Sequence, residues 1–226
     1  MNDRLALLSS MATRRILSDL ARDYESQTGV HVEIRSMGGV EAAKLVRADE
    51  ATDIVVLASK VMASLGIEGK LAKGETRDFA RSEIGVAVRK GSASPSVANE
   101  QAVKQAMLEA RKLCYSTGPS GDHLKALCEK WGVPSERVLI APPGVPVATL
   151  VANGDADLGF QQLSELIGQQ GIEVVGPLPP GIQAVTVFSA GIAINSRDHD
   201  GARAFVAYLA SAGTGDAKRR HGMEPA

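Results

Sequence analysis

An α/β architecture with a mainly parallel sheet is the fold class this sequence predicts. Two observations carry the prediction. Short apolar runs of strand type alternate with segments of helical period along most of the 226 residues, and serine- or glycine-rich turns separate several runs from the helix that follows. Four such turns stand out: Ser9-Ser10, Ser36-Met37-Gly38-Gly39, Ser116-Thr117-Gly118-Pro119-Ser120-Gly121 and Pro143-Gly144-Val145-Pro146. A helix start carries unpaired N–H groups and the positive end of the dipole. Several in one α/β chain therefore point to a site where they converge on one small anion.

Taken in order, residues 5–8 form a short strand of buried type. Ile16, Leu17, Leu20, Ala21 and Tyr24 follow at helical spacing, with Gly29 just past the helix as its C-cap. Residues 30–34 alternate as a second strand, and Val40, Ala43 and Val46 mark the helix after the second turn. Residues 54–57 are a continuous apolar strand, followed by a short helix around 61–65. A second block starts near Glu83 with a strand over 84–88, then a helix capped by Asn99 and carrying Val103, Met107 and Leu108. The strand over 113–115 leads to a helix whose apolar face is Leu124, Leu127, Cys128 and Trp131. Strands over 138–140, 156–160 and 173–175 alternate with helices through Val147, Leu150 and Val151 and over 163–167. Residues 177–181, rich in proline and glycine, read as a loop or hinge approach. A long apolar run over 185–195 and an amphipathic helix over 203–210 follow. The tail Lys218-Arg219-Arg220-His221-Gly222-Met223 reads as a solvated helix end.

Composition narrows the function. Apolar residues make up 44%, enough for a sizeable core, while only 4% are aromatic, so aliphatic side chains do most of the packing. With 25 basic and 26 acidic residues the formal charge is −1, and no long run of either sign marks a nucleic-acid or anionic-membrane surface. No stretch approaches the ~18 apolar residues of a membrane span, and the first residues lack the pattern of a secretory leader. As written, the chain is expected to be cytoplasmic, or periplasmic if a signal peptide has been removed. Cys114 and Cys128 offer neither metal spacing nor a CxxC pair and are expected to be reduced, buried thiols. No metal site and no cofactor loop of the GxxxxGK[ST] type is visible.

The order of elements, with the motifs Leu7-Leu8-Ser9-Ser10, Thr28-Gly29-Val30, Ser36-Met37-Gly38-Gly39, Thr52-Asp53-Ile54-Val55-Val56, Ser116-Thr117-Gly118-Pro119-Ser120-Gly121, Asp157-Leu158-Gly159-Phe160 and Gly222-Met223-Glu224-Pro225, resembles the type II periplasmic-binding-protein fold. Within it the chain resembles the molybdate-binding solute receptors, over nearly its whole length. The resemblance implies two α/β lobes, each with a mainly parallel sheet, and a ligand cleft between them. Residues 1–83 plus 188–226 would form lobe one and 84–187 lobe two.

Candidate ligand-binding residues follow from the turns and the resemblance together. Ser9 or Ser10 would present a hydroxyl at the first helix start, and Ser36 with Gly38 and Gly39 would form the matching turn, glycine allowing close backbone approach. Ser116, Thr117, Ser120 and Gly121 are the densest donor cluster, and Gly144 and Val145 would add backbone N–H groups. Gln161 and Gln162 follow a strand end, and the molybdate receptors commonly place a tyrosine near Gln162; an amide both donates and accepts, which favours a carboxylate with hydroxyl or protonated groups over a bare oxyanion. Arg35 could anchor a carboxylate bidentately.

Two functions compete. The first is reversible capture of a small anion, with a transporter partner of the ABC type only if the chain is exported. The second is an enzyme on the same scaffold. The chain also resembles aconitate isomerase, which implies a proton shift within an unsaturated polycarboxylate. His123 is then the general-base candidate, with Glu165 second. A transcription-regulator effector lobe would need a helix-turn-helix that the chain lacks.

Overall fold

The computed structural model describes residues 4–226. The chain divides into two compact units, Met1–Ser82 with Thr186–Ala226, and Glu83–Val185. It passes from the first unit to the second once and returns once.

The first unit opens with β1 (Arg4–Ser10), a 3-10 turn (Met11–Thr13) and α1 (Arg14–Thr28). The helix forms because Ile16, Leu17, Leu20, Ala21 and Tyr24 lie on one stripe, and all five are buried. Gly29 stops it in a left-handed conformation at φ 76°, its N–H donating to the Glu25 carbonyl. β2 (His31–Met37), α2 (Gly39–Arg47), β3 (Ile54–Ala58), α3 (Ser59–Ile67) and β4 (Leu71–Ser82) follow.

The second unit contains β5 (Ile84–Arg89), α4 (Glu100–Glu109), β6 (Leu113–Tyr115), α5 (Pro119–Trp131), β7 (Val138–Ile140) and α6 (Val147–Asn153). It continues with β8 (Leu158–Gln162), α7 (Leu163–Leu166) and β9 (Ile172–Pro177). The chain then adds β10 (Thr186–Ala193), α8 (His199–Ala210), α9 (Gly215–Arg220) and β11 (Glu224–Pro225) to the first unit.

The sheet of the first unit runs β11-β4-β10-β3-β1-β2 and that of the second β7-β6-β8-β5-β9. In each, three neighbouring strands are parallel: β2, β1 and β3 in one, β7, β6 and β8 in the other. β10 and β5 run antiparallel to these sets, and β4 and β9 in turn pair antiparallel with β10 and β5. The sheets are therefore mixed, with the parallel sets carrying the strand–turn–helix units.

Each unit has its own core. In the first, Leu5, Leu7, Ile54, Val56, Phe79, Phe188 and Phe205 pack with the α1 stripe, and a second cluster around Leu8, Val55, Leu57, Met62 and Leu65 fills the other face. In the second, Trp131, Leu124, Tyr115, Phe160 and Met107 lie on one face of the sheet, and Val147, Val151, Cys114 and Leu166 on the other. Both cysteines are free and buried. Burial pushes the Cys114 thiol up to about 12 and the Cys128 thiol up to about 11.

Two features correct the reading of the sequence. The twelve-residue β4 was not visible, because its apolar residues Leu71, Phe79 and Ala80 are interrupted by charged ones. The basic tail is not simply solvated: Lys218 is only 1% exposed, with Nζ 5.8 Å from the centroid of the Phe79 ring, and Met223 is buried. Hydrophobic contact and a cation–π interaction hold this segment down.

Candidate functional site

In the first unit, parallel pairing brings three strand–helix turns to one end of the sheet. Ser9 lies opposite Ser36 and Ser10 opposite Met37, while Val56 of β3 lies opposite Ser9, so β3 ends two residues further on, at Ala58. Ser9 is fully buried and its hydroxyl is 2.7 Å from the Ser36 hydroxyl, tying the two turns together. Ser10, 7% exposed, is the N-cap of the 3-10 turn that leads into α1, yet its side chain makes no capping bond. It sits 3.4 Å from the Thr13 hydroxyl, which itself donates to the Ser10 carbonyl. Gly39, the first residue of α2, lies beside Ser10: a Cβ built there would stand 3.9 Å from the Ser10 Cβ. Gly38 caps α2 without a side chain to offer. Arg35 points elsewhere, its guanidinium 2.9 Å from Glu50 on the exposed surface.

Ser59 is the residue that sequence reasoning missed. It opens α3 directly after β3, repeating the strand–serine–helix pattern of Leu8-Ser9-Ser10, and that repetition was the available signal.

In the second unit the same logic holds around β7, β6 and β8, whose residues Ile140, Tyr115 and Phe160 are in register. The turn after β6 depends on two glycines. Gly118 caps α5 at φ 100°, a conformation side chains disfavour, and a Cβ at Gly121 would fall 1.7 Å from the Ser116 carbonyl oxygen. The helix start therefore presses against the turn. Ser120 is 4% exposed, and its hydroxyl has no hydrogen-bond partner among the described residues. Ser116 is half-buried and Thr117 exposed. Past β7, the Val145 N–H donates to the Pro142 carbonyl at 3.0 Å and closes that turn, so it is not the free donor the sequence promised; Gly144 sits inside the turn.

Gln161 and Gln162 end β8, both 3% exposed, with side chains on opposite faces of the strand. Gln161 accepts from the Val147 N–H at 3.2 Å and donates to Glu165 at 2.7 Å. Burial pushes the Glu165 carboxyl up to about 7, against the opposing effect of the Gln161 hydrogen bond. His123 donates through Nε2 to the Ile182 carbonyl, 2.7 Å away; since a carbonyl only accepts, Nε2 carries the hydrogen. His123 thus fastens α5 to the 3-10 turn Pro180–Ile182, leaving Nδ1 as its only possible base.

Two depressions of the second unit are lined by other residues. One of about 300 Å³ is lined by Arg89, Glu109, Arg111 and Asp157, and one of about 600 Å³ by Arg111, Lys112, Leu139 and Asp155. Both include Arg111, just before β6, and Arg111 is paired with Asp157 at 2.7 Å. Among the described residues no three His, Cys, Asp or Glu side chains gather as metal ligands would, and no helix is long and apolar enough to cross a membrane.

Residues 5–224 match the family of bacterial extracellular solute-binding proteins. The chain belongs to that family. A curated relative, the aconitate isomerase of a Pseudomonas species, is 34% identical over 98% of this chain and 87% of its own length. Among solved structures, the periplasmic molybdate-binding protein of Azotobacter vinelandii is similar, with a TM-score of 0.78 at 21% identity, covering 97% of this chain and 98% of that one. Peb3 from Campylobacter jejuni gives a TM-score of 0.71 at 14% identity, covering 97% and 99%. The fold is that of the periplasmic binding proteins. In this solute-binding family member, parallel strands deliver hydroxyls and helix starts to one end of each sheet, where open α/β sheets take their ligands.

Proposed function

We propose that this chain binds a small polycarboxylate, held by hydroxyls and helix N-termini at the strand ends. The observation that carries the reading is the state of the hydroxyls. Ser10, at the end of β1, makes no capping bond, and Ser120, in the first turn of α5, is buried with no side-chain hydrogen bond to another described residue. Neutral donors of this kind replace an anion's hydration shell without requiring a paired cation. Ser36, Gly38, Gly39, Ser116, Thr117, Gly121 and Gly144 complete the set, while Ser9 supports Ser36 from behind. A carboxylate bearing a hydroxyl or protonated group is favoured over molybdate because Gln162 and Glu165, at and just past the end of β8, can accept as well as donate.

The test is thermal unfolding in the presence of molybdate, tungstate, sulfate, citrate, cis-aconitate and trans-aconitate. A ligand at a hundred times its Kd stabilises by about 2.7 kcal/mol, which is roughly 5–10 °C for a chain of this size. The reading expects a polycarboxylate to produce that shift. A shift with molybdate and tungstate alone would replace it with oxyanion capture.

A second reading is favoured by the 34% identity with an aconitate isomerase. Here the bound polycarboxylate is unsaturated, and a proton is moved within it while donors hold its carboxylates. Incubation with trans-aconitate, followed by proton NMR, separates the two: capture leaves the ligand unchanged, and isomerisation produces the cis form. A transporter partner belongs to the first reading, in an exported form of the chain.

A further inference from the structure

We propose that Glu165 is the proton-transferring residue of this site and that Gln161 is its positioning residue; the proposal rests on the isomerase reading above. Gln161 points to the face of the sheet covered by α6, where its Oε1 accepts the N–H of Val147, the first residue of that helix, at 3.2 Å. With Oε1 engaged by a donor, the amide has one orientation, and Nε2 must face the Glu165 carboxylate, 2.7 Å away. Only one Glu165 oxygen is held by this bond. The other, Oε2, has no hydrogen-bond partner among the described residues, and the side chain is half-buried rather than sealed.

Among the described residues, the elements packed around α7 supply no counter-charge. α6 and β8 contain no titratable side chain, and β5 contains only Arg89, at its far end from Ile84. Glu83, just ahead of β5, is itself acidic, and its carbonyl accepts the Leu163 N–H. A carboxyl desolvated without a cation exchanges its proton near neutrality, which is where burial places this one, at about 7. His123, by contrast, has Nε2 bound to the Ile182 carbonyl and acts as a structural tie.

The chemistry asked of Glu165 is a balanced proton shift. The substrate class is a polycarboxylate with a methylene between a carboxylate and a carbon–carbon double bond. Oε2 takes a proton from the methylene carbon, and that C–H pair becomes the new double bond to the central carbon. The old double-bond pair takes the proton back from Glu165 at the far carbon. One C–H bond breaks, one forms, and nothing is oxidised.

The experiment measures trans-aconitate conversion and deuterium uptake by NMR across pH 5–9 in the wild type, Glu165→Gln, Glu165→Asp and Gln161→Leu, with the trans-aconitate thermal shift of each as the check on folding and binding. The expected result is that Glu165→Gln keeps the thermal shift and loses turnover by about 100-fold or more, with Glu165→Asp between the two. The wild-type rate rises through pH near 7. Because the Gln161 hydrogen bond lowers the Glu165 pKa, Gln161→Leu moves that rise to higher pH, a change that mere loosening of the fold would not produce. Turnover within threefold of wild type in Glu165→Gln, or an unmoved pH limb in Gln161→Leu, overturns the assignment. A wild-type protein that binds trans-aconitate but neither converts nor exchanges it overturns the isomerase reading and the assignment together.

Discussion

Replacing Gly121 with alanine tests the architecture of the donor turn after β6. In an open helix the change would stabilise by up to about 1 kcal/mol, because alanine is the better helix former. At Gly121 the new Cβ would stand 1.7 Å from the Ser116 carbonyl oxygen and 3.5 Å from the Tyr115 ring. The closest atom belongs to the backbone, so no flexible side-chain end can give way, and the turn and α5 must separate by more than an ångström. Overpacking of this kind costs about 1–3 kcal/mol, and here the upper part of that range applies, for a net loss of roughly 2 kcal/mol or 4–8 °C. The assay is urea unfolding followed at Trp131, the chain's one tryptophan, which lies buried at the end of the same helix. Gly66→Ala is the internal control: nothing lies within 4 Å of a Cβ there, and circular dichroism should show a gain of about 0.5–1 kcal/mol. If Gly121→Ala stabilised the protein as much as Gly66→Ala, the close approach that shapes the turn would be refuted.

Other perturbations follow from the same packing. Asp53 accepts hydrogen bonds from the Ala6 and Arg197 N–H groups and the Ser196 hydroxyl; Asp53→Asn removes the charge assistance and should cost about 1.5–3 kcal/mol in urea unfolding. Lys218→Met should stabilise at pH 7 by on the order of 1 kcal/mol. Burial lowers the Lys218 pKa in the folded state, so the unfolded chain binds more protons between that value and 10.5. The penalty is full below the folded pKa and fades as pH rises through it, and a pH series should show this slope in wild type and not in the variant. Cys114 and Cys128, with thiols pushed up to about 12 and 11 by burial, should resist a disulfide reagent at pH 8 until urea unfolds the second unit; fast reaction in the native state would contradict their packing.

Local chemistry was legible in the sequence and long-range pairing was not. The stripe from Ile16 to Tyr24, the left-handed Gly29 and the Asn99 cap, whose side chain accepts from the Ala102 N–H, all follow from spacing and residue type within a few positions. β4 escaped notice because its partner β10 lies more than a hundred residues away, and a strand whose charged residues face solvent carries no apolar run. Lys218 misled for a related reason: a basic run reads as solvated unless the ring it covers, Phe79, is known to be there.

For the candidate site, the serine and glycine turns marked strand ends by their own chemistry. What the turns do with one another depends on register. That the Ser9 hydroxyl faces Ser36, that Val145 uses its N–H inside its own turn and that Arg35 reaches Glu50 are consequences of pairing and side-chain direction, invisible in a linear string. The Gln161–Glu165 bond is an intermediate case. Its four-residue separation is short, yet residue 161 ends a strand and residue 165 belongs to a helix, so neither helical nor strand periodicity predicts the contact.

The most direct test of the account is isothermal titration of citrate or trans-aconitate into the wild type, Ser10→Ala and Ser120→Ala. Each substitution is expected to weaken binding by about fivefold or more, the loss of one hydrogen bond to a charged group being about 1–3 kcal/mol. Unchanged affinity in both variants would contradict it.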